Sequence, residues 1–187
     1  MHELSPAIQS ISKLSDDCNK KFTSVWKHQI IAKDHHLLRE NMVSDYLFYC
    51  KKGILRIYYY KNGKEVTEWI AMNSTFCFSI ISFFERIPSK LIIHAIEPSE
   101  IYALHHDDLM RLCSEEHEIE RWLRKTVTSS LILSQHRMES IQFETAQQRY
   151  DSLLKKKPQI IQRVPLAYIA SFLGITQETL SRIRANH

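Results

Sequence analysis

Val164-Pro165-Leu166-Ala167-Tyr168-Ile169-Ala170-Ser171-Phe172-Leu173-Gly174-Ile175-Thr176-Gln177-Glu178-Thr179-Leu180-Ser181-Arg182-Ile183-Arg184 decides how the last part of this 187-residue chain folds. Pro165 suits the first turn of a helix, where its missing N–H is no loss. Leu166, Ile169, Ala170 and Leu173 then share one face, and the small Ala170 lets a second helix cross closely. Gly174 supplies the left-handed residue that ends this helix. Thr176 can cap the next one, which turns Leu180 and Ile183 inward and leaves Gln177, Glu178, Ser181 and Arg182 outward. Two short helices, a tight Gly turn and a polar outer face predict a helix-turn-helix over Leu166 to Ala185.

A hairpin of this pattern can also be a packing element with no ligand. The identity of the outer residues weighs against that. Arg pairs in bidentate fashion with guanine and Gln with adenine in the major groove, while Thr176 and Thr179 stand at a helix N-terminus, where phosphates are favoured. The surrounding charge points the same way. Residues 1–136 hold 17 Lys/Arg and 17 Asp/Glu, whereas residues 137–187 hold eight basic residues (Arg137, Arg149, Lys155, Lys156, Lys157, Arg163, Arg182, Arg184) against four acidic ones. A basic module on a neutral scaffold is the electrostatic footprint of phosphate binding, although a solvated basic surface would look similar.

Outward from this stretch, Glu144 to Lys156 reads as a helix that Pro158 stops. Before it a long helix is expected over Glu118 to Ile141. Leu123, Val127, Leu131, Ser134, Met138 and Ile141 make one stripe close to a heptad seam, and Ile119, Trp122, Thr126 and Leu133 make a second, less regular one. A helix apolar on two faces has two surfaces to cover, one on its own domain and one on a partner subunit, unless a single monomer sandwiches it. Asp107 is expected to cap a short helix through Cys113.

Upstream the pattern becomes that of short strands, from about Leu37 to His105. Tyr46 to Cys50 is one; in Ile54 to Tyr60, Leu55, Ile57 and Tyr59 alternate with Arg56, Tyr58 and Tyr60. Asn62-Gly63 then separates Ile54–Tyr60 from Glu65–Ala71, and this dipeptide is the strongest hairpin signal in the chain. Further strands are expected at Thr75–Ser79, Lys90–Ile96 and Glu100–Leu104, giving an antiparallel barrel or jelly roll.

With these parts in place the chain resembles the Crp/Fnr family of bacterial regulators. The matching features are Gly-Ile-Thr-Gln-Glu-Thr-Leu-Ser-Arg-Ile at 174–183, the preceding long helix, Gly53-Ile54-Leu55-Arg56 and His94-Ala95-Ile96-Glu97. The resemblance implies an α+β chain with an N-terminal cyclic-nucleotide-binding-like β-roll (1–112), a central dimerisation helix (113–141) carrying Leu123, Val127, Leu131 and Met138, and a C-terminal helix-turn-helix domain (142–187). It makes Gln177, Glu178 and Arg182 base readers, with Thr176, Thr179 and Ser181 nearer the DNA backbone. It implies a homodimer on palindromic double-stranded DNA and contact with RNA polymerase.

Two departures from the family bear on mechanism. Cyclic-AMP-binding members carry a Gly-Glu pair followed about ten residues later by Arg-Ser or Arg-Thr. Laid along this chain those places fall on Phe78 and Ser79, and on Ser89 and Lys90. Lys90 and Arg86 are weak substitutes, Lys lacking the bidentate fork of Arg, and Phe76, Phe78, Phe83 and Phe84 crowd the region. Cyclic AMP is therefore not the expected effector, and the sequence names no other. The chain also ends at the recognition helix without a β wing, which leaves more of the affinity to dimerisation and to Lys155–Lys157.

Cys18, Cys50, Cys77 and Cys113 are widely spaced, so reduced thiols are expected rather than a disulfide framework, a zinc knuckle or an iron-sulfur cluster. His35-His36 and His105-His106-Asp107-Asp108 look like metal ligands, yet neighbours on a strand point to opposite faces, and a surface turn explains the second group better. No metal, no cofactor and no catalytic set are expected. No run of about 18 apolar residues and no signal peptide occur, so a cytoplasmic protein without a membrane span is expected. A small-molecule sensor or protein-interaction module that does not read DNA remains the alternative.

Overall fold

The computed structural model describes residues 3–185. Two short helices come first, α1 (Ser5–Ile11) and α2 (Asp16–Ser24). Pro6 in the first turn of α1, and Ser15 followed by two acidic residues at the start of α2, are ordinary helix-start signals.

Strands β1 (Lys27–Ile31), β2 (His36–Leu38), β3 (Tyr46–Lys52), β4 (Leu55–Lys61), β5 (Lys64–Ala71) and β6 (Thr75–Cys77) follow. A short helix α3 (Ile80–Glu85) precedes β7 (Ile92–Ala95) and β8 (Ser99–His105). The strands form two antiparallel sheets, in the orders β1-β8-β3-β6 and β2-β7-β4-β5. Phe48, Cys50, Leu55, Ile57, Ile93 and Ile101 fill the space between them. Asn62 and Gly63 both have positive φ, 52° and 73°, so the β4–β5 turn is the primed type that matches strand twist.

The roll therefore starts at Lys27, before the expected Leu37, and the expected strand at Thr75–Ser79 ends at Cys77 because Ser79 turns the chain into α3. The alternation in β4 does not separate core from solvent either. Leu55 through Tyr58 are all buried, because the second face of this sheet is covered as well.

Helix α4 (His106–Glu115) is capped by His105, whose side chain accepts a hydrogen bond from the Asp107 backbone N–H. Asp107 thus lies in the first turn, where its charge suits the helix dipole, and does not cap it. Long helix α5 (His117–Phe143) buries Ile119, Trp122 and Thr126. Trp122 packs on Phe22 and Phe76, with ring centroids 5.0 and 5.3 Å away, and donates its N–H to the Ile8 carbonyl at 3.2 Å. The N-terminal helices, the roll and the first half of α5 so share one apolar cluster.

Helix α6 (Ala146–Lys156) starts two residues later than expected, because Thr145 and Gln148 form a reciprocal capping box. A single turn α7 (Ile160–Arg163) leads to α8 (Leu166–Leu173) and α9 (Gln177–Ala185). Pro165 stands at the N-cap of α8, one residue before its expected place in the first turn. Tyr150, Leu153, Ile169, Leu173 and Leu180 pack together with Ile54, Ile70 and Ile96 of the roll, so the C-terminal helices and the second sheet share a core. Among the described residues no helix is long and apolar enough to cross a membrane.

Candidate functional site

Helix α8 ends where Gly174 enters the left-handed region at φ 69°, and the Ile175 N–H closes back on the Ala170 carbonyl at 3.0 Å. Only a residue without Cβ takes this conformation without strain, and the closing bond satisfies a carbonyl the helix end would leave open. Thr176 Oγ1 then accepts from the Thr179 N–H at 3.2 Å and caps α9. Leu180 points into the shared core, while Thr176, Gln177, Glu178, Ser181 and Arg182 lie exposed and Thr179 is half-buried. The six residues expected to meet DNA therefore share the free side of one helix. Arg182 makes one weak contact, 3.4 Å to the Thr179 hydroxyl, and pairs with no carboxylate among the described residues. Glu178 is held below the usual carboxylate range by its own backbone N–H and the Thr176 hydroxyl.

The basic character of the last quarter is mostly internal. Arg137 donates to the Phe172 carbonyl at 2.8 Å, and Arg149 to the Leu173 carbonyl at 2.9 Å and the Glu144 carbonyl at 2.5 Å. Arg163 pairs with Glu97 of the roll. Lys157, half-buried, donates to the Ile70 carbonyl at 2.9 Å, and burial lowers its pKa. The expected Lys155–Lys157 cluster is thus reduced to Lys155 and Lys156, which with Arg182 and Arg184 are exposed. The other four basic residues tie α5, α6 and α8 to one another and to the sheet.

The positions that resemblance assigns to a cyclic nucleotide are closed. Ser79 and Ser89 are buried, and their hydroxyls hydrogen-bond each other at 3.0 Å. Arg86, itself at positive φ after α3, pairs with Asp45 and donates to the Ser44 carbonyl at 3.0 Å. Lys90 is exposed, next in the chain to the buried Ser89. Phe83 is fully buried, and Phe76 and Phe78 line a cavity of about 170 Å³ between the roll and α5. Ile57, Glu68, Trp69, Ile80, Leu133 and Arg137 also line it. None of the four expected ligand contacts is among them. Glu68, Trp69 and Arg137 carried no signal in the sequence, because only packing of α5 on β5 brings them together.

Residues 28–116 match the family model of the cyclic nucleotide-binding domain. The chain is similar to FixK2 from Bradyrhizobium japonicum, with a TM-score of 0.75 at 17% identity, covering 87% of this chain and 84% of that one. A candidate transcriptional regulator of the Crp/Fnr family from Eubacterium rectale gives 0.69 at 17% identity, covering 91% and 82%. The c-di-GMP-responsive global regulator CLP of Xanthomonas campestris gives 0.68 at 14% identity, covering 92% and 91%. The fold is that of the Crp/Fnr-type regulators. No curated protein matches the sequence significantly.

Within this fold the second half of α5 is bare. Leu123 is half-buried against the N-terminal cluster and Val127 is half-buried, but Leu131 is 58% exposed and Met138 47%, with Ile132, Ile141 and Phe143 exposed beside them. Trp122 and Thr126 of the second stripe face the roll, whereas Leu133 stands at the rim of the cavity.

Helix α8 is fastened to the roll by a feature that sequence reasoning missed. Arg56, 1% exposed, lies with its guanidinium 3.7 Å from the Tyr168 ring centroid and 4.3 Å from that of Tyr58. It donates to Thr67 at 2.9 Å and to Glu65 at 2.5 Å. The Thr67 N–H in turn donates to Ser171 Oγ of α8 at 2.8 Å. An Arg in an alternating strand reads as solvent-facing, and nothing local announces that α8 will cover it.

His94 borders this cluster, stacked on His36 at 5.5 Å and edge-on to Tyr58 and Tyr168, with Nδ1 unpartnered among the described residues. Burial, then the charges of Arg56 and His36, push its pKa from 6.5 down to about 4, against a weaker pull from Glu65 and Asp34. The unfolded chain therefore takes up this proton first. The contribution is complete above about pH 6.5 and is lost as pH falls toward 4. Denaturant titrations should show a loss on the order of 3 kcal/mol over that window which His94→Phe lacks. Equal losses in the two proteins would count against it.

Proposed function

We propose that the chain is a homodimeric transcription regulator that reads a pseudo-palindromic operator through the major groove with α9. The observation that carries this reading is the outer face of α9. It presents Gln177, Glu178, Ser181 and Arg182 to solvent, on a helix whose opposite side is locked into the core. In this reading Arg182 and Gln177 pair with base edges, with Glu178 beside them, while Thr176, Thr179 and Ser181 meet the backbone near the helix N-terminus. Lys155, Lys156 and Arg184 add sequence-independent attraction.

Leu131 and Met138, with Val127 and Leu123 toward the start of α5, form the seam with a second copy. An apolar stripe of this length facing water is the kind of surface a partner covers. Two reading heads on a two-fold axis then address half-sites about one turn, roughly 34 Å, apart. The roll, residues 1–112, serves as the sensor half, the dimerisation helix as 113–141 and the reading domain as 142–187. The closed Ser79–Ser89 seat supports a sensor that does not respond to cyclic AMP.

Selection from a random double-stranded DNA library should enrich one palindromic sequence whose binding weakens steeply with salt. Failure of any sequence to enrich at low salt would favour the module that packs but does not read.

A further inference from the structure

The turn between β4 and β5 carries charge that the protein does not neutralise. Lys61 and Lys64 stand directly opposite each other across Asn62-Gly63, as the last cross-strand pair of the hairpin. Like charges so placed repel and weaken the pairing. Neither ammonium pairs with a carboxylate among the described residues. The acid beside them, Glu65, is taken by the buried Arg56 and by the Tyr60 hydroxyl. Tyr60 through Glu65 are all exposed. Asn62 and Gly63 at positive φ account for the turn, whose geometry does not call for lysine at either end. Two cations held together against their own repulsion on an exposed tip suit an anionic partner.

The place of the tip narrows that partner. Ser171 of α8 joins the hairpin to the reading head: its hydroxyl accepts from the Thr67 N–H at 2.8 Å and donates to the Glu65 carbonyl at 3.4 Å. The Ser171 carbonyl in turn accepts from the Gly174 N–H at 3.1 Å, in the turn that leads to α9. Lys64, next in the chain to Glu65, thus stands beside the α8–α9 turn and close to Thr176, the cap of α9. Arg56, paired with Glu65 and stacked under Tyr168, holds the stem of the hairpin against α8. A recognition helix in the major groove carries its N-terminus close to the sugar-phosphate backbone. The flexible four-carbon stems of Lys61 and Lys64 are suited to following that backbone as point charges.

We propose that the tip of the β4–β5 hairpin is a second DNA contact, in which Lys61 and Lys64 clasp backbone phosphates beside each half-site. The contact rests on the reading of α9 proposed above and extends the DNA surface from the reading head onto the roll. It contributes affinity and salt dependence and carries no base information.

The test uses full-length protein, the selected operator and a Lys61→Ala/Lys64→Ala double variant. The variant should bind every sequence about tenfold or more weakly, with base preferences unchanged. Its salt dependence should fall by about two ions per half-site. It should melt no lower than the unmodified protein, because the repulsion across the turn is gone. Lys20→Ala, on α2 and outside the core that α8 shares with the roll, should leave affinity and salt dependence unchanged. Neutral methylphosphonates in place of the phosphates flanking each half-site should weaken the unmodified protein and leave the double variant unaffected. A double variant with unchanged affinity and salt dependence overturns the contact even where α9 reads DNA, and leaves the lysine pair to an acidic protein surface. An equal methylphosphonate loss in both proteins shows that other groups meet those phosphates and removes the lysines from the interface. An unmodified protein that binds no DNA at low salt overturns the function proposed above, and this contact with it.

Discussion

Replacing Leu131 and Met138 together by Asp should turn a dimer into a monomer in sedimentation and weaken operator binding by about 10²–10⁴-fold. Both side chains are about half-exposed in the isolated chain. Surface changes of this sort usually leave folding stability within about 0.5 kcal/mol. In a paired seam, by contrast, each Asp would bring an unpaired carboxylate into an apolar contact, and the seam would repeat that cost on both copies. The loss on DNA is larger than any single contact explains, since two linked heads bind the second half-site at a high effective concentration that a monomer lacks. Unchanged melting with altered sedimentation is the expected pair of results. A doubly substituted protein that still sediments as a dimer would show that Leu131 and Met138 do not form the seam.

Arg182→Ala should cost about 1–3 kcal/mol on the selected operator and relax the preference at one base position in each half-site. Arg182 holds its guanidinium free on the outer face of α9, with one 3.4 Å contact to Thr179 and no ion pair among the described residues, so its removal disturbs no packing. Arg182→Lys should not restore discrimination, because an ammonium lacks the fork that matches the two acceptors of guanine. Lys156→Ala is the matched control. It should weaken all sequences alike and reduce the salt dependence by about one ion. Arg182→Ala and Lys156→Ala variants with the same profile over operator variants would remove Arg182 from base reading.

The elements most legible in the sequence are those whose signal is local. Asn62-Gly63, Gly174 with Thr176, and the apolar stripe of α5 each state their geometry within a few residues, and each is found where the sequence places it. Local signals also failed in identifiable ways. Asp107 is a better N-cap in isolation than His105, yet the chain leaves β8 so that the imidazole is the group facing the Asp107 N–H. Formal charge suggested a basic reading domain, but Arg137, Arg149, Lys157 and Arg163 are used on carbonyls and on Glu97. A count of charges cannot distinguish a phosphate contact from a structural one.

The sequence by itself determined the order of parts, the turn between α8 and α9, and which residues of α9 face outward, because period, caps and positive-φ turns act over a few residues. The family resemblance, in turn, puts Ser79 and Ser89 at places where cyclic-AMP-binding members carry charged contacts. Only the tertiary structure decided that these two hydroxyls satisfy each other, that Arg56 is buried under Tyr168, and that Trp69 and Arg137 stand between a cavity and Phe172 of α8. The Arg56 and Trp69 contacts depend on which faces meet across more than a hundred residues of chain, from Arg56 to Tyr168 and from Trp69 to Phe172. Such contacts are set by burial and by the pairing of polar groups away from water, and no short window of sequence records them.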